Sequence, residues 1–123
     1  MKRQSSSLAI VTTTVASKTA ARKMAGVILK SRLAACVQSF PIHSMYRWKG
    51  KIESTPEYLV QAKTRAALTA PLMARIKRQH AYEVPEIIVT PVTAAYGKYR
   101  EWIGKETDTI SLISHRTHRK TRK

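Results

Sequence analysis

Tyr46-Arg47-Trp48-Lys49-Gly50-Lys51-Ile52-Glu53 reads as a tight turn between two long extended arms. Lys49-Gly50 supplies the turn, because glycine adopts the positive φ that a two-residue hairpin requires. Upstream, residues 35–48 read as a strand, and from Ile52 onward the chain is extended again. An arm of roughly 14 residues at about 3.3 Å each spans about 45 Å, well beyond an ordinary strand. Pro41 and Pro56 fall near each other across the hairpin. Neither can donate to a ladder, so a bend or an edge is expected there. The expectation is a kinked hairpin whose distal half projects past the domain's own core. Along the returning arm, Tyr58, Val60 and Ala62 face one way, and Leu59, Gln61 and Lys63 face the other.

On the N-terminal side, residues 8–15 are β-branched and mostly apolar, a buried strand. Ser17 is a helix cap, and Ala21, Met24, Ala25, Ile28 and Leu29 recur at helical spacing, which predicts a helix over 18–33. After the hairpin, Thr69 and Pro71 open a second helix, as cap and early helical proline, with Leu72, Met73 and Ile76 inward. Ile87-Ile88-Val89 reads as a short buried strand between Pro85 and Pro91. Residues 97–105 form a third helix with Tyr99, Trp102 and Ile103 on one side. The order is β-α-β-β-α-β plus a C-terminal helix. This predicts an α+β, ferredoxin-like domain, an antiparallel sheet with its helices on one face. The other face reads as largely apolar and needs a cover. A second copy of so short a chain is the simplest one, with the long hairpin supplying the joining edge.

The chain has 123 residues, one domain's worth, and 43% of them are hydrophobic. A single cysteine excludes a disulfide framework and a Cys-rich zinc site. No apolar run approaches the roughly 18–20 residues of a membrane span. The formal charge is +16, of which residues 1–7 carry +2, residues 8–107 carry +10 and residues 108–123 carry +4. The folded body is therefore itself basic, and attracts nucleic acid or other anions non-specifically. Residues 1–7 read as a flexible start without the apolar core of a signal peptide, and residues 108–123 as a solvated basic tail. A cytoplasmic location is expected.

Four tracts stand together in order and spacing: residues 32–37 (RLAACV), 46–53 (YRWKGKIE), 60–64 (VQAKT) and 80–87 (HAYEVPEI), closed by residues 99–103 (YREWI). In combination they resemble the CutA family, the divalent-cation tolerance proteins, from about Leu8 to Lys105. The resemblance implies a PII-like homotrimer of ferredoxin-like subunits. It also implies a cytoplasmic, non-enzymatic protein linked to tolerance of copper and other divalent metals, with no cofactor required. The family pattern has Pro where this chain has Ala81. Some members carry a Cys and paired histidines where this chain has Thr13 and Gln79, leaving His80 alone. A copper site of that kind would lose two of its three ligands here. Lys63, Trp48, Tyr82, Glu83 and Glu86 match positions that the family keeps, and the implied ligand cleft lies between subunits.

On residue chemistry alone, a lone cysteine opening a strand is ordinarily a small buried hydrophobe; the alternative for Cys36 is a thiolate ligand for soft copper. His80 and His43 join it only if folding brings them together. Glu83 and Glu86, flanking Pro85, are ordinarily solvated or paired with basic residues. Should Lys63 meet one of them, a charged cleft for a small anionic ligand or a metal ion results. Tyr46 and Trp48 share one hairpin face, as in an interface or a base-stacking platform. The competing function is a nucleic-acid-binding module of the same fold. That module needs aromatic residues on its two central strands, and residues 8–13 (LAIVTT) offer none. A phosphatase on this fold would need a Gly-rich phosphate loop, which the sequence lacks.

Overall fold

The computed structural model describes residues 7–107. The expected flexible start, apart from Ser7, and the basic tail lie outside the described residues. Strands β1 (Leu8–Val15), β2 (Cys36–Trp48), β3 (Lys51–Arg65) and β4 (Ile87–Val92) form one sheet in the order β2-β3-β1-β4. Every neighbouring pair is antiparallel. Helices α1 (Lys18–Lys30), α2 (Thr69–Gln79) and α3 (Gly97–Glu106) complete the α+β fold.

The hairpin turn is as the sequence requires. Lys49 has φ 49° and Gly50 has φ 81°, so both central residues are left-handed. This is the geometry whose twist matches antiparallel strands. From Trp48↔Lys51 to Cys36↔Lys63 the register runs without a slip, straight through Pro41↔Tyr58 and His43↔Pro56. The prolines therefore introduce no bulge. β1 stops at Val15↔Tyr58, so residues 51–57 of β3 pair with β2 alone. The distal hairpin projects for that reason.

The core lies on one side of the sheet. Val11, Val15 and Val60 meet Met24 and Ile28 of α1 and Leu72 and Ile76 of α2, all buried. Ser17 caps α1, its Oγ accepting from the Ala20 N–H at 3.1 Å. α1 ends at Lys30, three residues earlier than predicted. Arg32 turns left-handed at φ 58°, its N–H bonds Leu29 O, and the Leu33 N–H bonds Ile28 O. These two bonds make a Schellman end, which drops Leu33 into the core beside Ile28. The usual glycine signal is replaced by arginine. Thr69 likewise does not cap α2. Its hydroxyl donates to Ala66 O at 3.1 Å, and a short 3-10 turn, Ala66–Leu68, leads into the helix instead.

Three expectations are corrected. β4 is not buried: it is an edge strand, with Ile88 52% and Val89 36% exposed. Pro91 pairs with Ala9 inside it rather than ending it, as an edge position tolerates. Nor do all helices share one face. By register, Leu8, Arg65, Lys63 and Cys36 lie opposite the core side. α3 packs there: Tyr99 meets the Cys36 side chain, and Arg65 Nε donates to Thr107 Oγ1 at 2.9 Å. Ile103 is buried outside the main core cluster. The rest of this face is mixed rather than largely apolar. Ile10, Phe40 and Ile88 alternate with Thr12, Gln38 and Gln61.

Candidate functional site

Past the end of β1, the projecting hairpin faces the loop that joins α2 to β4. Between them lies a cleft of about 480 Å³. Tyr46 and Trp48 reach it from β2, Glu57 from β3, and Tyr82, Glu83 and Glu86 from the loop. Trp48, Tyr82, Glu83 and Glu86 are thus brought together. Lys63 is not among the lining residues. Its ammonium donates to Gln38 Oε1, lower on the sheet, where it stands in register with Ile10 and Cys36. The charged pair of Lys63 with a loop glutamate does not form within one chain.

Glu57 is the residue that sequence reasoning passed over. It is 7% exposed. The Tyr82 hydroxyl donates to its Oε2 at 2.7 Å. Burial, and then the hydrogen bond and charge of Glu57, hold the Tyr82 phenol well above its ordinary pKa. The alternation that puts Leu59, Gln61 and Lys63 on one face extends to Glu57, so its side was legible. Its partner, 25 residues away, was not.

His80 fixes the loop from behind. Its Nδ1 accepts the Tyr82 N–H at 3.2 Å, which leaves the proton on Nε2. Nε2 donates to Thr14 O at 2.8 Å and reaches Thr13 Oγ1 at 3.1 Å. The imidazole also packs against the Tyr82 ring, centroids 4.7 Å apart. Both ring nitrogens are therefore engaged.

Cys36 and His80, the candidate metal pair, do not meet. His80 sits on Thr13, which shares the core side with Val11 and Val15, whereas Cys36 lies on the opposite face against Tyr99. Burial and the neighbouring Cys36 raise the Tyr99 pKa. No group of three or more His, Cys, Asp or Glu side chains comes close enough together to hold a metal ion among the described residues. At the place where the copper-type ligand set needs a thiolate, His80 meets a threonine hydroxyl. Among the described residues, the donor set of one chain does not fit a copper ion. The base-stacking alternative gains nothing either. Tyr58, the aromatic residue on central strand β3, packs against the core.

The model of the CutA1 divalent ion tolerance proteins matches residues 9–106. The chain belongs to the CutA1 divalent ion tolerance family. It is 41% identical over 99 residues to the chloroplastic protein CutA of Arabidopsis thaliana, covering 80% of this chain and 54% of that one. It is 36% identical over 99 residues to the divalent-cation tolerance protein CutA of Thermus thermophilus, covering 80% of this chain and 96% of that one. The chain spans about half the length of most of the curated CutA relatives it matches, and nearly all of the Thermus protein. Among solved structures, the periplasmic divalent cation tolerance protein CutA of Archaeoglobus fulgidus superposes with a TM-score of 0.80 at 32% identity, covering 82% of this chain and 99% of that one. The ferredoxin-like subunit predicted from element order, PII-like by the resemblance, is the CutA1 fold. No helix among the described residues is long and apolar enough to cross a membrane.

Proposed function

We infer that this CutA1 chain works as a non-enzymatic homotrimer, and that the cleft between hairpin and loop is its ligand site. The observation that carries this reading is the continuity of two surfaces. The sheet face left open beside α3, with Phe40 45% and Ile88 52% exposed, runs into the cleft under the projecting hairpin. Copies that cover that face would also close the cleft. Carboxylates, phenols and an indole line it together with hydroxyl and apolar side chains, the furniture of a binding site. The names of the relatives connect the family with tolerance of divalent cations. In this reading the protein requires no cofactor, and copper or another divalent metal is at most a weak ligand, held by the assembly rather than by one chain. Nucleic acid is held only through non-specific attraction to a basic surface. The partly buried free thiol of Cys36 suits a reducing, cytoplasmic compartment, although relatives are named as chloroplastic and periplasmic.

Light scattering tests the assembly. A mass three times the 13.9 kDa subunit is expected. A stable subunit-sized species in dilute buffer overturns the reading.

A further inference from the structure

The cleft is acidic inside a chain of net charge +16. Glu57, Glu83 and Glu86 line it, and among the described residues no Lys or Arg does. Glu57 is the most constrained of the three. One oxygen takes the neutral Tyr82 hydroxyl, and Oε1 has no hydrogen-bond or ion-pair partner among the described residues. Set into the wall at 7% exposure and opening on the cleft, this carboxylate gains most from a counter-charge placed there. Among the described residues, none supplies that counter-charge.

The shape of that missing counter-charge follows from the rest of the lining. A compact divalent ion takes several converging oxygen ligands, and such a cluster is absent among the described residues. A diffuse organic cation asks for something different: one carboxylate, and aromatic faces that attract positive charge without ligating it. Tyr46, Trp48 and Tyr82 provide those faces. Trp48 already draws a cation at the hairpin tip, where Lys49 Nζ lies 5.5 Å from its ring centroid. Lys49 does not line the cleft. We propose that the cleft binds an organic cation, a primary ammonium or guanidinium group, with Glu57 as its counter-ion and the rings of Tyr46 and Trp48 as its walls. This deepens the ligand-site reading above and rests on it. Two sources bring the same chemistry: a free small molecule, or a Lys or Arg side chain of a second copy.

The test uses the full chain, its mass read by light scattering in the same buffer. Butylammonium and butylguanidinium are titrated calorimetrically, with butan-1-ol and butyrate as neutral and anionic controls. If the cation is a free molecule, both cations bind saturably, at least tenfold tighter than butan-1-ol, and butyrate does not bind. Glu57→Gln then weakens binding tenfold or more. Trp48→Leu, which leaves the Glu57–Tyr82 bond in place, also weakens it. If the cation comes from a second copy, the wild type ignores the added cations, and both variants assemble only at higher concentration. The proposal is overturned if the cations bind no better than butan-1-ol while both variants assemble like the wild type, or if butyrate binds instead. A subunit-sized mass with intact ammonium binding defeats the trimer and leaves this proposal standing. A trimeric mass with no cation effect and normal variants defeats this proposal alone.

Discussion

The Tyr82 hydroxyl and the Glu57 carboxylate, 2.7 Å apart, tie the loop before β4 to the projecting hairpin. The hairpin beyond Val15↔Tyr58 has no third strand beside it, so this bond is a cross-brace near its base. His80 completes the brace by accepting the Tyr82 N–H and anchoring to Thr13 and Thr14 on β1. Strand, loop and hairpin are thus locked through one tyrosine, which is what gives the cleft a fixed shape.

Tyr82→Phe removes the donor and leaves Glu57 buried without it. A hydrogen bond to a charged group contributes about 1.5–3 kcal/mol. Urea unfolding of the variant is expected to show a loss of that order, with little change in slope. An unchanged midpoint would mean that the brace holds nothing.

The same phenol sets a pH dependence. Its pKa in the folded chain stands above the ordinary 10.0 because burial and Glu57 disfavour the phenolate. The neutral form is thus favoured in the native state. The resulting stability is complete below about pH 10 and is lost as pH rises past 10 toward the folded value. The stability gap between wild type and Tyr82→Phe should shrink over that range. Tyr99 is also held high, so ultraviolet titration of phenolate should show late-ionising tyrosines in the wild type and one fewer of them in Tyr82→Phe. Equal titration of all tyrosines near 10 argues against the effect.

Much of this was legible in the sequence. Residues 8–15 announced β1 through their β-branched run, and Lys49-Gly50 announced the turn. The end of α1 was hidden because Arg32 occupies a left-handed position where glycine is the usual marker. The placement of α3 was hidden for a different reason. The stripe of Tyr99, Trp102 and Ile103 says which side is buried, not against which face of the sheet. Trp48, Tyr82, Glu83 and Glu86 line one cleft. Lys63 stays with Gln38 because strand register, which the local pattern does not fix, puts it several residues below the cleft.

Gly50, at φ 81°, tests the turn itself. A Cβ added there meets nothing within 4 Å, so Gly50→Ala acts only through the backbone. A destabilisation of about 1 kcal/mol is expected from the left-handed conformation. Lys49→Gly relieves the same strain at φ 49° and should be neutral or mildly stabilising. Thermal unfolding compares the two. Equal effects of both substitutions would show that the turn geometry does not govern hairpin stability.

Copper binding depends on what stands beside His80. Its Nε2 lies 3.1 Å from Thr13 Oγ1 and 2.8 Å from Thr14 O, so the nitrogen is committed to neutral oxygen acceptors. A hydroxyl is a poor ligand for soft copper, whereas a thiolate at the same place would sit next to an imidazole already oriented by the loop. The wild type should therefore bind Cu(I) and Cu(II) only weakly in calorimetry. Thr13→Cys combined with Gln79→His supplies a thiol beside His80 and a second imidazole at the end of α2, and should tighten binding at least a hundredfold. Cys36→Ser should leave that gain intact, because Cys36 lies on the opposite face of the sheet against Tyr99. Stoichiometric micromolar binding by the wild type, lost on Cys36→Ser, would place the metal on the other face and refute this assignment.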